Sequence, residues 1–247
     1  MPQYDPASFF GPEAARRYDD QPRGDEAAAA RLLAELAGNG PALEFAIGTG
    51  RIALPLAQRG VAVHGIELSP HMVEQLWAKP GGADLPVTLG DMATTQVEGA
   101  FPLVYLVFNT IYNLLTQDAQ VACFQNAARH LTDDGAFLIE AGVPSAWINP
   151  PNYVTPEWIA ADAVGFDVAR YDPVTQIMEE NHVRITGEGI TFGPIVCRLA
   201  WPAELDLMAR LAGLTLSERW GGWHKQPFTA DSLLHVSVYR KVDTALW

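Results

Sequence analysis

The stretch "EFAIGTGR", residues 44–51, places two glycines around a threonine, and its reading decides the fold. Before it, "ALEFAI" (42–47) has the composition of a buried strand. After it, "RIALPLAQRG" (51–60) has the spacing of a helix that stops at Gly60. A strand–glycine turn–helix unit lets a ligand approach the backbone, because glycine lacks Cβ and tolerates positive φ. The first turn of the helix that follows adds unpaired N–H groups. The stretch reads as a nucleotide clasp, and the question is which nucleotide it holds.

The same alternation continues on both sides. "EAAAARLLAEL" (26–36) reads as a helix ended by "GNGP" (38–41). "VAVHGIEL" (61–68) is a second strand and "SPHMVEQLWA" (69–78) a second helix, with Ser69 at the N-cap and Pro70 in the first turn. Further strands are expected at "PVTLGD" (86–91), "FPLVYLVFN" (101–109) and "AFLIEAGV" (136–143), with a helix at 117–131 between the last two. Apolar strands alternating with helices imply a parallel sheet covered on both faces, with its ligand crevice at the carboxyl ends of the strands.

After residue 144 the pattern changes. "PSAWINPPNYVTPEW" carries four prolines and reads as a loop. Three extended stretches follow at 163–171, 174–186 and 190–201, separated by turn residues, and they predict an antiparallel meander. A helix at 202–212 and strands at 214–220 and 233–241 end the chain. The last two are joined by too short a segment for a helical crossover, so they pair antiparallel. The expected fold is α/β: a doubly wound, mostly parallel seven-stranded sheet with a last antiparallel strand, plus an inserted antiparallel meander. Residues 1–144 and 202–247 form the expected main domain, and 145–201 a lid or substrate subdomain.

Composition narrows the partners. The chain has 247 residues, a hydrophobic share of 49% and a net charge of −13, with 16 Lys and Arg. So few cations argue against binding nucleic acid, which rests on neutralising phosphates. Cys123 and Cys197 stand far apart without a CxxC, so neither a metal site nor a disulfide framework is expected, and a reducing compartment is the simpler reading. With no signal-like N-terminus and no span-length apolar run, a cytoplasmic protein without a membrane partner is expected.

Two cofactor readings fit the clasp. Gly48-Thr49-Gly50-Arg51-Ile52-Ala53 matches the dinucleotide fingerprint G-x-G-x-x-[GA], and Glu67, 19 residues after Gly48, suits its ribose-binding acid. An NAD(P)-dependent oxidoreductase is therefore one reading. The other uses more residues: Glu44-x-Ala46-x-Gly48-x-Gly50 resembles the first motif of the class I S-adenosylmethionine-dependent methyltransferases, E/D-x-G-x-G-x-G. Ala46 stands where the first glycine usually is, a change that a negative φ would accommodate.

That resemblance carries further expectations in strand order. It implies that Glu67 in "GIELS" holds both ribose hydroxyls, a task for a carboxylate with spare acceptor positions. It places Asp91 in "LGDM" near the adenine amino group and Met92 beside the ring. It sets Phe108 and Asn109 in "VFNTIYNLL" facing the transferred methyl. "GPEAARRYDD" (11–20) resembles the lid helix of small-molecule methyltransferases, where a Tyr-Asp pair closes over the methionine end, which selects Tyr18. The implied product is S-adenosylhomocysteine. A dinucleotide enzyme implies neither the adenine-side acid, nor the fourth-strand motif, nor the closing antiparallel strand.

The acceptor side is less defined. Tyr112, three residues after Asn109, and Trp223 and His224 in "GGWHKQPF" (221–228) are candidate acceptor contacts, with no catalytic base assigned. His182 in "EENHVR" reads as a solvated strand residue. The aromatic loop at 147–158 suits a small molecule with an N, O or C nucleophile, as in secondary metabolism. The inserted strands resemble the lids of glycine and amino-sugar N-methyltransferases, some of which form homodimers there. A SAM-binding protein without catalysis is a further alternative.

Overall fold

Strands that are apolar along their whole length must be covered on both faces, and the chain meets this demand with a three-layer core. The computed structural model describes residues 9–20, 23–148 and 151–242. The expected domain ranges 1–144, 145–201 and 202–247 therefore run partly outside the described residues, as does part of the expected loop at 144–158.

In chain order the helices are α1 (Pro12–Arg17), α2 (Glu26–Ala37), α3 (Ala53–Ala57), α4 (Pro70–Trp77), α5 (Gln117–His130) and α6 (Pro202–Leu211). The strands are β1 (Ala42–Phe45), β2 (Val63–Glu67), β3 (Val87–Leu89), β4 (Phe101–Leu106), β5 (Leu131–Gly142), β6 (Asn152–Ile159), β7 (Val164–Asp172), β8 (Ile177–Thr186), β9 (Gly189–Arg198), β10 (Leu214–Trp220) and β11 (Leu234–Lys241).

Seven of these strands form one sheet in the order β3-β2-β1-β4-β5-β11-β10. The first five run parallel, while β11 pairs antiparallel with both β5 and β10. One face packs Leu43, Phe45, Val104, Leu106 and Phe137 against Phe124 of α5 and Met208 of α6. The other packs Ala42, Leu103, Tyr105 and Leu138 against Leu33 of α2, Leu56 of α3 and Leu76 of α4. Alternation along each strand sends neighbours to opposite layers.

Local signals set the helix starts. Ser69 caps α4 by accepting from the Met72 N–H at 3.3 Å, with Pro70 as the first helical residue. Thr116 caps α5 by accepting from Ala119 N–H at 3.1 Å.

The second sheet, β6-β7-β8-β9, is an antiparallel meander with one strand more than expected. Part of the stretch read as a proline loop is the edge strand β6. Its Pro156 lies beside a bulge between Pro156 and Trp158, where a missing N–H breaks no ladder. Met178 of β8 and Cys197 of β9 enter the main core and seat this sheet on it.

Candidate functional site

Going outward from β1, the sheet order leads to β2 on one side and β4 on the other, so a crevice opens at the carboxyl ends of these strands. The cavity there is lined by Ala46 and Gly48 after β1, by Ile66, Glu67 and Leu68 at the end of β2, and by Gly90, Asp91 and Met92 after β3. Thr110, Asn113 and Leu114 after β4 form the opposite wall, with Phe10, Tyr18 and Met72 above. Tyr18, Ala46, Gly48, Glu67, Asp91 and Met92, widely spaced in sequence, thus meet in one cavity.

The clasp itself is left-handed at alternating positions: φ is +54° at Ala46, +58° at Gly48 and +78° at Gly50. The expectation of a negative φ at Ala46 is therefore wrong. An L-residue there is strained, since its Cβ crowds the carbonyl that glycine would leave clear. Gly48 faces the cavity, and a Cβ on it would meet little beyond Met72 Cε at 3.4 Å. Gly50 is absent from the cavity wall. A Cβ there would sit 2.3 Å from Leu76 Cδ1, so it serves close helix packing.

Glu67 is 5% exposed at the end of β2. Its Oε2 accepts from Gly48 N–H and its Oε1 from Ser69 N–H, both at 2.8 Å. Burial pushes this carboxyl up, and the surrounding N–H groups of Ser69, Gly48 and Leu68 pull it back. A carboxylate has about four acceptor positions, more than these N–H groups fill, which leaves acceptor capacity for a sugar hydroxyl. Asp91 holds its turn with Oδ1, which accepts from Ala93 N–H at 2.8 Å.

Two cations, Arg23 and Arg51, lie behind the cavity wall beside Tyr18. The Arg23 guanidinium lies 3.6 Å from the Phe108 ring centre and 4.7 Å from that of Tyr18. Arg51 pairs with Asp25 and with Glu26 at 3.3 Å, and its Nη2 is buried without a hydrogen-bond partner among the described residues. An orphaned guanidinium N–H beside Tyr18 and Phe108 fits an amino-acid carboxylate. Burial raises the Tyr18 hydroxyl against the pull of Arg23 and Arg51. Asp19, the neighbour of Tyr18, accepts from Thr49 Oγ1 at 2.9 Å and from Lys79 Nζ at 2.5 Å, and Lys79 also donates to the Thr49 carbonyl at 2.7 Å. These bonds pin the segment after α1 onto the glycine turn.

Other expected residues lie behind the wall. Glu44 is 2% exposed, accepts from Tyr105 Oη at 2.8 Å, and has its carboxyl pushed up to about 8 by burial. Phe108 and Asn109 follow β4 with φ of +55° and +61°, and neither is part of the cavity lining. Tyr112, expected on the acceptor side, is fully buried, its hydroxyl 2.7 Å from the Gly142 carbonyl and 3.0 Å from that of Ala200. Trp223 packs into the α2 and α3 side of the core. His224 is exposed on the β10–β11 loop.

Phe10, Arg23, Met72, Thr110, Asn113 and Leu114 were missed. Their types carry no chemical signal in the sequence, and tertiary folding brings them to the cleft. His182, expected in solvent, is half-buried with Nδ1 at 2.6 Å from Asp167 Oδ1 and 3.1 Å from Glu157 Oε1. Burial opposes its charged form, but Asp167, Glu180 and Glu157 hold it above the usual imidazole range.

Residues 42–135 match the family described as "Methyltransferase domain". The chain is 35% identical to the CcbJ methyltransferase from Streptomyces caelestis, with a TM-score of 0.91 over 97% of this chain and 100% of that one. It is 25% identical to the cypemycin N-terminal methyltransferase of a Streptomyces species, over 77% of this chain and 78% of the relative. In fold it is also similar to the SAM-bound amino pentose methyltransferase CalS10 from Micromonospora echinaspora, at 24% identity and a TM-score of 0.69 over 93% and 96% of the two chains.

Proposed function

The chain belongs to the class I S-adenosylmethionine-dependent methyltransferases, and from that premise we propose that it methylates an amine nitrogen of a small molecule in secondary metabolism. When bound, S-adenosylmethionine supplies an electrophilic sulfonium methyl for in-line transfer to the nucleophile, leaving S-adenosylhomocysteine. The observation that carries the reading is Glu67, a buried carboxylate that lines the cavity at the end of β2 and is bonded to the left-handed Gly48 turn.

In this reading the residues divide the cofactor along the cleft. Glu67 accepts from the ribose hydroxyls, while Asp91 and Met92 hold the adenine. Arg51, Arg23 and Tyr18 receive the methionine carboxylate end. The glycine turn leaves room for the backbone to touch the cofactor, and Glu44, buried in β1, ties that strand to Tyr105 of β4. The protein's work is to orient two reactants and exclude water.

The amine is favoured by the acceptor side of the cleft. Cys197 Sγ lies 3.9 Å from Oδ1 of the wall residue Asn113. The register carries the same face of the second sheet on to Glu180, Tyr153, Asp167 and His182. Tyr153 donates to Glu180 at 2.9 Å. This acidic face attracts a basic nitrogen. The cypemycin N-terminal methyltransferase and the amino pentose methyltransferase CalS10, by their names, support the same class.

Further elements of the proposal are a cofactor domain of 1–144 and 202–247 with 145–201 as its lid, a homodimer, and a cytoplasmic protein without nucleic-acid or membrane partners. The exposed apolar Val154, Val168, Ile190 and Phe192 on the outer face of the second sheet support the homodimer. Among the described residues no helix is long and apolar enough to cross a membrane. A labelled-SAM screen of amine, phenol and activated-carbon acceptors tests the reading. Transfer to amines is expected, and transfer to phenols alone would overturn it.

A further inference from the structure

Glu140, near the carboxyl end of β5, stands outside the cavity lining, yet it holds the turn after β4 in two ways. Its Oε2 accepts from Phe108 N–H at 2.5 Å, and its carbonyl accepts from Asn109 N–H at 3.2 Å. Two residues further on, Gly142 N–H donates to Asn109 Oδ1 at 2.6 Å. Phe108 and Asn109 are consecutive non-glycine residues in the left-handed region, an arrangement that persists only where surrounding bonds over-determine it. Those bonds come from Glu140 and its strand.

The turn has a task. It presents the Phe108 ring to the Arg23 guanidinium at 3.6 Å and the Arg51 guanidinium at 5.3 Å. These two cations lie behind the wall residue Tyr18, beside the part of the cleft assigned to the methionine carboxylate. We propose that Glu140 is a positioning residue for the cofactor: its carboxylate fixes the Phe108–Asn109 turn and so sets where Arg23 and Arg51 meet the methionine end. The inference rests on the cofactor reading above, and Glu140 acts through Phe108.

Ionisation of Glu140 strengthens the bond it accepts from Phe108, because a charged acceptor binds an N–H more tightly than a neutral acid does. Burial pushes this carboxyl up to about 7. Asp25 raises it further, Arg51 and Arg23 lower it, and the Tyr112 hydroxyl is the other titratable group that senses it. Lowering the pH through this value protonates Glu140 and loosens the turn. Cofactor affinity should then fall on the acid side.

Calorimetric titration with S-adenosylhomocysteine from pH 6 to 8.5 tests this, with thermal melts alongside. Wild type is expected to lose affinity severalfold as pH falls through about 7. Glu140→Gln keeps a neutral acceptor for Phe108 N–H, so the loss of affinity centred near pH 7 should disappear from its profile. Glu140→Ala removes the acceptor and should weaken binding by about tenfold at pH 8, as for loss of a hydrogen bond to a charged group. A purely structural role would lower the melting temperature of both variants while leaving the wild-type pH profile in the glutamine variant. That outcome, or wild-type affinity in Glu140→Ala, overturns the inference. Wild type that binds no S-adenosylhomocysteine at any pH would overturn the cofactor reading itself, and this inference with it.

Discussion

The Glu67 carboxylate and the Gly48 backbone N–H are joined by a 2.8 Å hydrogen bond across 19 residues of sequence. The bond ties the end of β2 to the left-handed turn after β1, so the acid and the glycine form one unit. Glu67→Ala removes both the turn's anchor and the carboxylate proposed to accept from the ribose. Its affinity for S-adenosylhomocysteine is expected to fall by about 2 kcal/mol, as for a hydrogen-bonded charged group. Unchanged affinity by calorimetry would contradict the ribose assignment.

Ala46 has φ of +54°, a conformation in which glycine has no Cβ to crowd. Ala46→Gly should therefore stabilise the fold by about 1 kcal/mol, raising Tm by roughly 2–4 °C. A lower Tm would show that the alanine methyl contributes more by packing than it costs in backbone strain.

The raised carboxyl of Glu44, at about 8, makes stability depend on pH. Its folded value exceeds the unfolded one, so its stabilising effect is complete below the unfolded value near 4.5 and is lost as pH rises towards 8. Wild type should lose several degrees of Tm between pH 6 and 9. Glu44→Gln keeps an acceptor for Tyr105 and should flatten that decline. A decline of the same size in the variant would place its cause elsewhere.

Tyr112→Phe distinguishes a scaffold from an acceptor contact. The hydroxyl lies between the carbonyls of Gly142 and Ala200, both buried. Its loss should cost about 1–2 kcal/mol of stability while kcat and the acceptor KM stay near wild type. A large rise in acceptor KM with unchanged Tm would return Tyr112 to the acceptor site.

Much of this molecule is legible along the chain because strand-end position is a local property. The glycine turn, Glu67 after one apolar run and Asp91 after the next fall at the carboxyl edge, and a parallel sheet brings them into one cleft. The acidic face of the second sheet was not legible in this way. Glu180, His182 and Asp167 share a face only because β7 and β8 pair Asp167 with His182, a register that no single segment contains. Pro156 hid β6, since an edge strand with a bulge tolerates the residue that usually marks a loop.

By itself, then, the sequence determined the alternating α/β order, the closing antiparallel strand and the row of strand-end residues that meet in one cavity. These follow from apolar periodicity and from turns too short to cross over. Tertiary structure alone decided that Ala46 is left-handed, that Tyr112 and Trp223 serve the core, and that Glu140 underlies Phe108. The physical reason is the same in each case: backbone sign, burial and hydrogen-bond partner depend on which distant segment arrives alongside. Asn109 and Gly142, 33 residues apart and 2.6 Å across their hydrogen bond, are brought together by the pairing of β4 with β5.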